Sequence, residues 1–271
     1  MNIEALTQAL ESGMNTDVNK CYIPSLKKEY SFRPITVAET KTLSKILINA
    51  QEDPLSVFET LCALIQSKCI EDIDIKELNE FDRIKIIYFI FHVNNMVSDM
   101  TIDCSQCGQR NEIKVDRASV LEKMDELQFN EIKFDNEQSN RMTCIIDIPK
   151  IEYMYHFYYL MKQGKIEKED MLEQLLKIYM SEINISFENE SVDDVKISLK
   201  DEIEEENLEQ FLNSIDLLPA NLLVNKNNDS LYNVVSELVN KMYEPQDLDS
   251  QNCIKCGHLI GGNASAINFT S

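Results

Sequence analysis

Glycine and proline are scarce in this chain of 271 residues, six of each, tryptophan is absent and histidine occurs three times. So few glycines leave little material for loops that cradle phosphate. No Gly-x-x-x-x-Gly-Lys loop, Gly-x-Gly-x-x-Gly turn, Gly-x-Ser-x-Gly elbow or His-Glu-x-x-His helix occurs, so no catalytic residue and no organic cofactor site is expected. Positive charge is also short: 26 Lys and Arg face 47 Asp and Glu, a formal charge of −21. That balance argues against a surface that follows a phosphate backbone, and nucleic acid is not an expected partner. The longest apolar run, Ile86 to Phe91, is far too short to cross a bilayer. Met1 to Leu6 lacks the basic and apolar regions of a secretory signal, so the expectation is a soluble intracellular protein without a membrane partner.

What is plentiful is cysteine, eight residues in a chain for which a reducing compartment is expected. There, thiols and metal ligation are favoured over disulfides. Four of the eight form two short pairs, Cys104 with Cys107 and Cys253 with Cys256. Two intervening residues let a tight turn aim both sulfurs at one ion, and two such turns complete a tetrahedron. Gly108 and Gly257 follow the second cysteine of each pair, where a turn leaving the metal needs a residue tolerant of positive φ. The reading is a structural Zn(2+) site of Cys104, Cys107, Cys253 and Cys256, with redox chemistry of the pairs and substitution by His258 as the competing readings. Closing so long a loop costs about 4 to 5 kcal/mol, which a zinc site worth about 10 to 16 kcal/mol offsets. Cys21, Cys62, Cys69 and Cys144 stand alone and read as small buried apolar residues.

The pattern along the chain predicts an α+β fold, mostly helical with short β-hairpins and a split four-cysteine zinc ribbon. After a polar leader, Tyr30 to Val37 alternates as a strand that ends at Pro34 or shortly after it, and helices are expected at Ala38 to Ala50, from Asp53-Pro54 onward through Ile65, and at Asp82 to Met96. The last of these is apolar nearly all round, as a buried helix is. The first cysteine pair falls between the strand-like pieces Asp99 to Asp103 and Asn111 to Val115, hence at a hairpin tip. Further strands are expected at Glu131 to Phe134, Met142 to Ile148 and Asn184 to Phe187, with Asn136 to Asn140 as a turn. Helices follow at Lys150 to Lys162, Lys168 to Met180, Lys200 to Ser214 and Ser230 to Tyr243. With no repeat and no Gly/Ser- or Pro-rich linker, the expected division is a strand and helical region, 1–97, followed by a zinc-closed lobe, 98–271, with one intertwined domain as the alternative.

His92 and His156 fall in apolar helical stretches and read as core residues. The acidic run Asp201 to Glu206 reads as the solvated face of a helix that turns Ile203, Leu208, Phe211 and Leu212 inward. Tyr153, Tyr155, Phe157, Tyr158 and Tyr159 exceed what one helix face can bury. One or two of them are expected at a lobe boundary or partner contact.

Ile23 to Leu26 leading into Tyr30 to Lys41, the buried helix that follows, and Cys104-Ser-Gln-Cys107-Gly108 resemble the baseplate proteins of T-even type contractile-tailed bacteriophages. The resemblance covers residues 20 to 120, and the C-terminal cysteine pair fits it loosely. That family includes baseplate hub assembly factors described as chaperones. The resemblance implies a protein that binds other tail and hub proteins, in the host cytoplasm or retained in the virion, with no catalytic residues. The alternative from another class is a cytoplasmic zinc-ribbon adaptor in a nucleic-acid process, for which Arg110, Lys114, Arg117 and Lys255 are the only basic residues near the cysteines.

Overall fold

The computed structural model describes residues 18–48, 53–94, 100–113, 117–136, 141–186, 194–199, 205–225, 229–243 and 251–260. The fold is α+β, with eight α-helices among these residues, one four-stranded sheet and three two-stranded hairpins. The chain forms two compact units, one made of residues 1–127 and 242–271 and the other of residues 128–241. The first break therefore lies after Leu127, whereas the sequence pattern suggested 97/98. None of the helices described is long and apolar enough to cross a membrane.

In the discontinuous unit, β1 (Asn19–Ile23) and β2 (Lys28–Phe32) form an antiparallel hairpin. The strand expected to begin at Tyr30 and to end at or shortly after Pro34 begins two residues earlier, at Lys28, and ends at Phe32. It stops before Pro34, which lacks an N–H for the ladder, and β1, read as a polar leader in the sequence, is its partner. Alternation along both strands buries Cys21, Ile23, Tyr30 and Phe32. Helices α1 (Val37–Ile48), α2 (Pro54–Lys68) and α3 (Glu80–Val93) follow. The start of α2 is fixed as its sequence suggests: the Asp53 carboxylate accepts from the Ser56 N–H at 3.2 Å and Pro54 occupies the first turn. Helix α3 buries Phe81, Ile84, Ile86, Ile87, Tyr88, Ile90 and Phe91, residues from every side of the helix, and Phe89 meets Phe32 edge-on at 6.0 Å.

Asp82 sets where α3 begins. It forms a capping box with Asn79 and also accepts from the backbone N–H and hydroxyl of Ser25 in the β1–β2 turn. One turn later the buried Lys85 is paired with Asp125 at the end of α4 (Arg117–Glu126), a helix that the sequence pattern did not reveal. Lys68, also buried, holds Glu39 of α1 at 2.7 Å. Each buried cation keeps a carboxylate because an uncompensated charge in the interior is costly.

The continuous unit is built on the antiparallel sheet β5 (Ile132–Asn136), β6 (Arg141–Ile146), β7 (Met180–Ser186) and β8 (Val195–Ser198), in that order. One face buries Phe134, Asn136, Met142, Cys144, Ile146, Ile183 and Ile185, while Lys133, Asp135 and Lys196 remain exposed. Helices α5 (Ile151–Lys162), α6 (Met171–Ile178), α7 (Glu205–Asp216) and α8 (Leu231–Tyr243) complete it, α8 running to the unit's end. Leu208, Phe211 and Leu212 point inward on α7 as expected, and residues 201–204, Ile203 among them, lie outside the described residues. Of the α5 aromatics, Tyr153 and Phe157 are buried and Tyr153 donates to the Leu199 carbonyl. Tyr155, Tyr158 and Tyr159 are half-buried, with the rings of Tyr155 and Tyr159 stacked at 6.3 Å. His92 and His156 are likewise half-buried. Asn136 serves the short 3-10 turn Ala220–Leu223, its side-chain amide reaching the carbonyls of Asn221, Leu222 and Val224 at 2.7 to 3.0 Å.

Glu71 ties β2 to the segment after α2, accepting from the N–H and hydroxyl of Ser31 at 2.7 and 2.9 Å. Loss of solvent works to raise its pKa, but those two bonds and the nearby Lys28 outweigh it and hold the carboxyl below the ordinary carboxylate range. The stabilisation is thus present above the pKa of an unfolded glutamate and is lost as the pH falls through the lower folded value. Glu71→Gln is expected to destabilise the protein at neutral pH by about 1 kcal/mol, a figure kept small by partial exposure. Urea unfolding should show the difference from wild type shrinking below pH 4, and an undiminished difference in acid would contradict this role for the charge.

Candidate metal centre

Two knuckles of the same design carry the paired cysteines. Strands β3 (Met100–Asp103) and β4 (Arg110–Ile113) lead into and out of the first, and β9 (Gln251–Asn252) and β10 (Leu259–Ile260) into and out of the second. In the first, the Cys104 N–H donates to the Gln109 carbonyl and the Gly108 N–H to the Cys104 carbonyl, both at 2.8 Å. The second repeats this, Cys253 donating to His258 at 2.7 Å and Gly257 to Cys253 at 2.9 Å. Gly108 and Gly257 have φ of 67° and 72°. A Cβ at either would meet nothing within 4 Å, so the backbone conformation rather than lack of room calls for glycine.

All four sulfurs lie within 4.8 Å of one another. Sulfurs of Cys104 and Cys256 are 3.7 Å apart and those of Cys107 and Cys253 3.6 Å apart. A tetrahedron with metal–sulfur bonds of about 2.3 Å has edges of about 3.8 Å, so the cluster has the dimensions and the soft donors for an ion such as zinc. Cys104 and Cys253 are buried beside Ile260, Cys107 is half-buried and Cys256 is exposed. The structure brings together all four cysteines singled out by their spacing.

The thiols do not ionise alike. At Cys253 the loss of solvent opposes ionisation, but the N–H groups of Cys256 and Lys255 and the thiols of Cys107 and Cys256 outweigh it and lower the pKa to about 6. At Cys256 the His258 N–H favours the thiolate, yet desolvation and the three surrounding thiols win and push the pKa up to about 12. One sulfur takes charge at its neighbours' expense, as expected of like groups crowded together without a cation.

His258 stands beside this donor set. Its main-chain carbonyl closes the second knuckle and its Nε2 lies 3.3 Å from the Ser105 hydroxyl. The remaining cysteines are elsewhere, and burial pushes Cys21, Cys62 and Cys144 up to about 12 and Cys69 up to about 11. Cys21, Cys69 and Cys144 are also buried away from solvent.

Sequence reasoning missed Asn111. This buried residue of β4 donates from its amide to the Gln109 carbonyl at 2.6 Å and accepts from the Ile254 N–H, in the other knuckle, at 3.0 Å. It occupies the place in the first knuckle that Ile260 fills in the second, each four residues after its second cysteine and each buried. A polar residue there is a signal only once the two knuckles are aligned. No protein-family model, no curated protein and no solved structure matches the chain.

Asn111→Ala would strand the Ile254 N–H in the contact between the knuckles, at a cost of about 1 to 3 kcal/mol. A chelator competition on the metal-loaded protein is expected to show the metal lost at roughly tenfold lower chelator concentration. Unchanged retention would mean that the four sulfurs alone fix the second knuckle.

Proposed function

We propose that this chain is an assembly protein of the contractile-tail baseplate hub type, acting by binding other tail proteins, with a structural zinc ion that clasps residues 251–260 to the β3–β4 hairpin. The single observation that carries the clasp is the donor set: four thiolate sulfurs, from two segments far apart in sequence, within 4.8 Å of one another. Four thiolates close a tetrahedral shell, and such a shell has no position for an activated water. The ion's contribution is then to folding, because the binding free energy is spent on holding the two knuckles together.

The tail-assembly part rests on the resemblance of residues 20 to 120. Within that stretch the hairpin β1–β2 is anchored to α3 through Ser25 and Asp82. A charge of −21 suits a protein kept soluble until it meets a complementary surface, since such charge governs encounter more than affinity. The nucleic-acid reading has less support. Arg110 beside the first knuckle lies 3.5 Å from Asp103, which offsets its charge.

Metal analysis of purified protein is expected to give one zinc per chain, falling to none in Cys253→Ser/Cys256→Ser, with residues 251–260 becoming sensitive to protease. A wild type that is metal-free and equally stable would remove the clasp. The assembly role is tested separately. Deleting the gene is expected to leave lysates without complete contractile tails, and a full yield of infectious particles would end that reading.

A further inference from the structure

The cluster has a second chemistry, which rests on the clasp reading for its setting but on the sulfur positions for its outcome. Two of the sulfur contacts, Cys104 with Cys256 at 3.7 Å and Cys107 with Cys253 at 3.6 Å, run between the two segments. Each joins one shielded sulfur to one that solvent reaches: Cys104 and Cys253 are buried, Cys256 exposed and Cys107 half-buried. We infer that under oxidising conditions these cysteines form two disulfides between the knuckles, Cys104–Cys256 and Cys107–Cys253, so that covalent bonds replace the metal and hold the same segments together.

The geometry favours this over a bond inside either pair. A bond between Cys104 and Cys107, or between Cys253 and Cys256, closes a ring across only two residues and must be accommodated by the turn around it. That turn is already fixed by the Gly108 or Gly257 N–H bonded back to the first cysteine and by a φ near 70°. A disulfide demands its own Cβ separation and dihedral angle, which a rigid turn resists. The bonds between knuckles ask only that side chains already in contact close together. They also span the longer loop, where a cross-link constrains the unfolded chain most.

The electrons need an acceptor, and a peroxide serves. The accessible Cys256 sulfur attacks the peroxide O–O bond, becoming a sulfenic acid while one oxygen leaves as water. The Cys104 sulfur then attacks the Cys256 sulfur, forming the S–S bond and expelling the sulfenic oxygen as a second water. Cys107 and Cys253 repeat the sequence, so four thiols and two peroxides give two disulfides and four waters, and no thiolate of the four would remain to hold a metal ion. Cys21, Cys69 and Cys144 compete poorly, since they are buried. A chain assembled with metal in a reducing cytoplasm would thus keep its clasp on passing into an oxidising medium.

The test uses the full-length protein treated with hydrogen peroxide and a chelator, then digested with trypsin under non-reducing conditions. Cleavage after Lys255 separates Cys253 from Cys256, whereas Cys104 and Cys107 stay on one peptide. The expected result is that peptide bonded to both C-terminal peptides. A bond joining the two C-terminal peptides to each other, or recovery of the four sulfurs as free thiols or sulfinic acids, would overturn the inference. Two double variants check the partners: Cys107→Ser/Cys253→Ser should cross-link at close to the wild-type rate, and Cys107→Ser/Cys256→Ser several-fold more slowly. The reverse order of rates also refutes the pairing. Protein that is isolated without metal yet gives the expected cross-links counts for the pairing and against the zinc clasp, so the two failures are distinct.

Discussion

Four sulfur atoms converging from two places in the chain are the constraint on which the discontinuous unit depends. Everything between residues 128 and 241 forms a compact unit of its own, so the segment after it must find its way back to a hairpin that was made early in the sequence. Strands β9 and β10 are two residues each, too short to hold a place by hydrogen bonds. Cys253 and Ile260 are the buried residues of segment 251–260, and the core they share with Cys104 is very small. A metal ion is the kind of interaction that can stabilise so slight a structure, because its binding free energy exceeds what a few buried side chains supply. Asn111 adds direction: a single amide reads the backbone of the partner knuckle and fixes how the two turns face each other.

Away from the cysteines, the same unit is organised by buried charge. Asp82, Lys85 and Lys68 are each nearly inaccessible, and each is answered by a group from another element: Ser25, Asp125 and Glu39. Such pairs add less to stability than their number suggests, since desolvation consumes much of the Coulombic gain. Their effect is to forbid alternatives. A hairpin or helix packed one turn out of register would leave an ammonium or carboxylate in the interior without a partner. In the other unit Lys177, fully buried on α6, does the same with Asp216 at the end of α7 and with Glu173 at 3.2 Å.

Much of the element order could be read from local signals. The Asp53-Pro54 start of α2, the all-round apolar character of α3, the boundaries of α5 and α8, and the hairpin carrying the first cysteine pair lie within two or three residues of where periodicity and caps put them. The failures share a cause. Strands β1 and β8 and helix α4 are short and polar, and they are made by partners: β1 by Tyr30 and Phe32 across the hairpin, β8 by β7, and α4 by the Lys85 ion pair to its last turn. Intrinsic propensity is a weak prior for such segments, and tertiary contacts decide them.

By itself, the sequence determined the chemistry of the candidate centre. Two Cys-x-x-Cys-Gly turns dictate soft donors, sharp turns and positive φ, because those properties follow from residue type and spacing alone. The tertiary structure decided what residue type leaves open. It chose which sulfurs touch across the knuckles, it left Cys256 in solvent and Cys104 out of it, and it gave Asn111 a role that no local pattern announces. It also drew the break between units after Leu127 and put residues 242–271 in the unit that holds the first knuckle, because contacts between residues far apart in the chain are made only on folding.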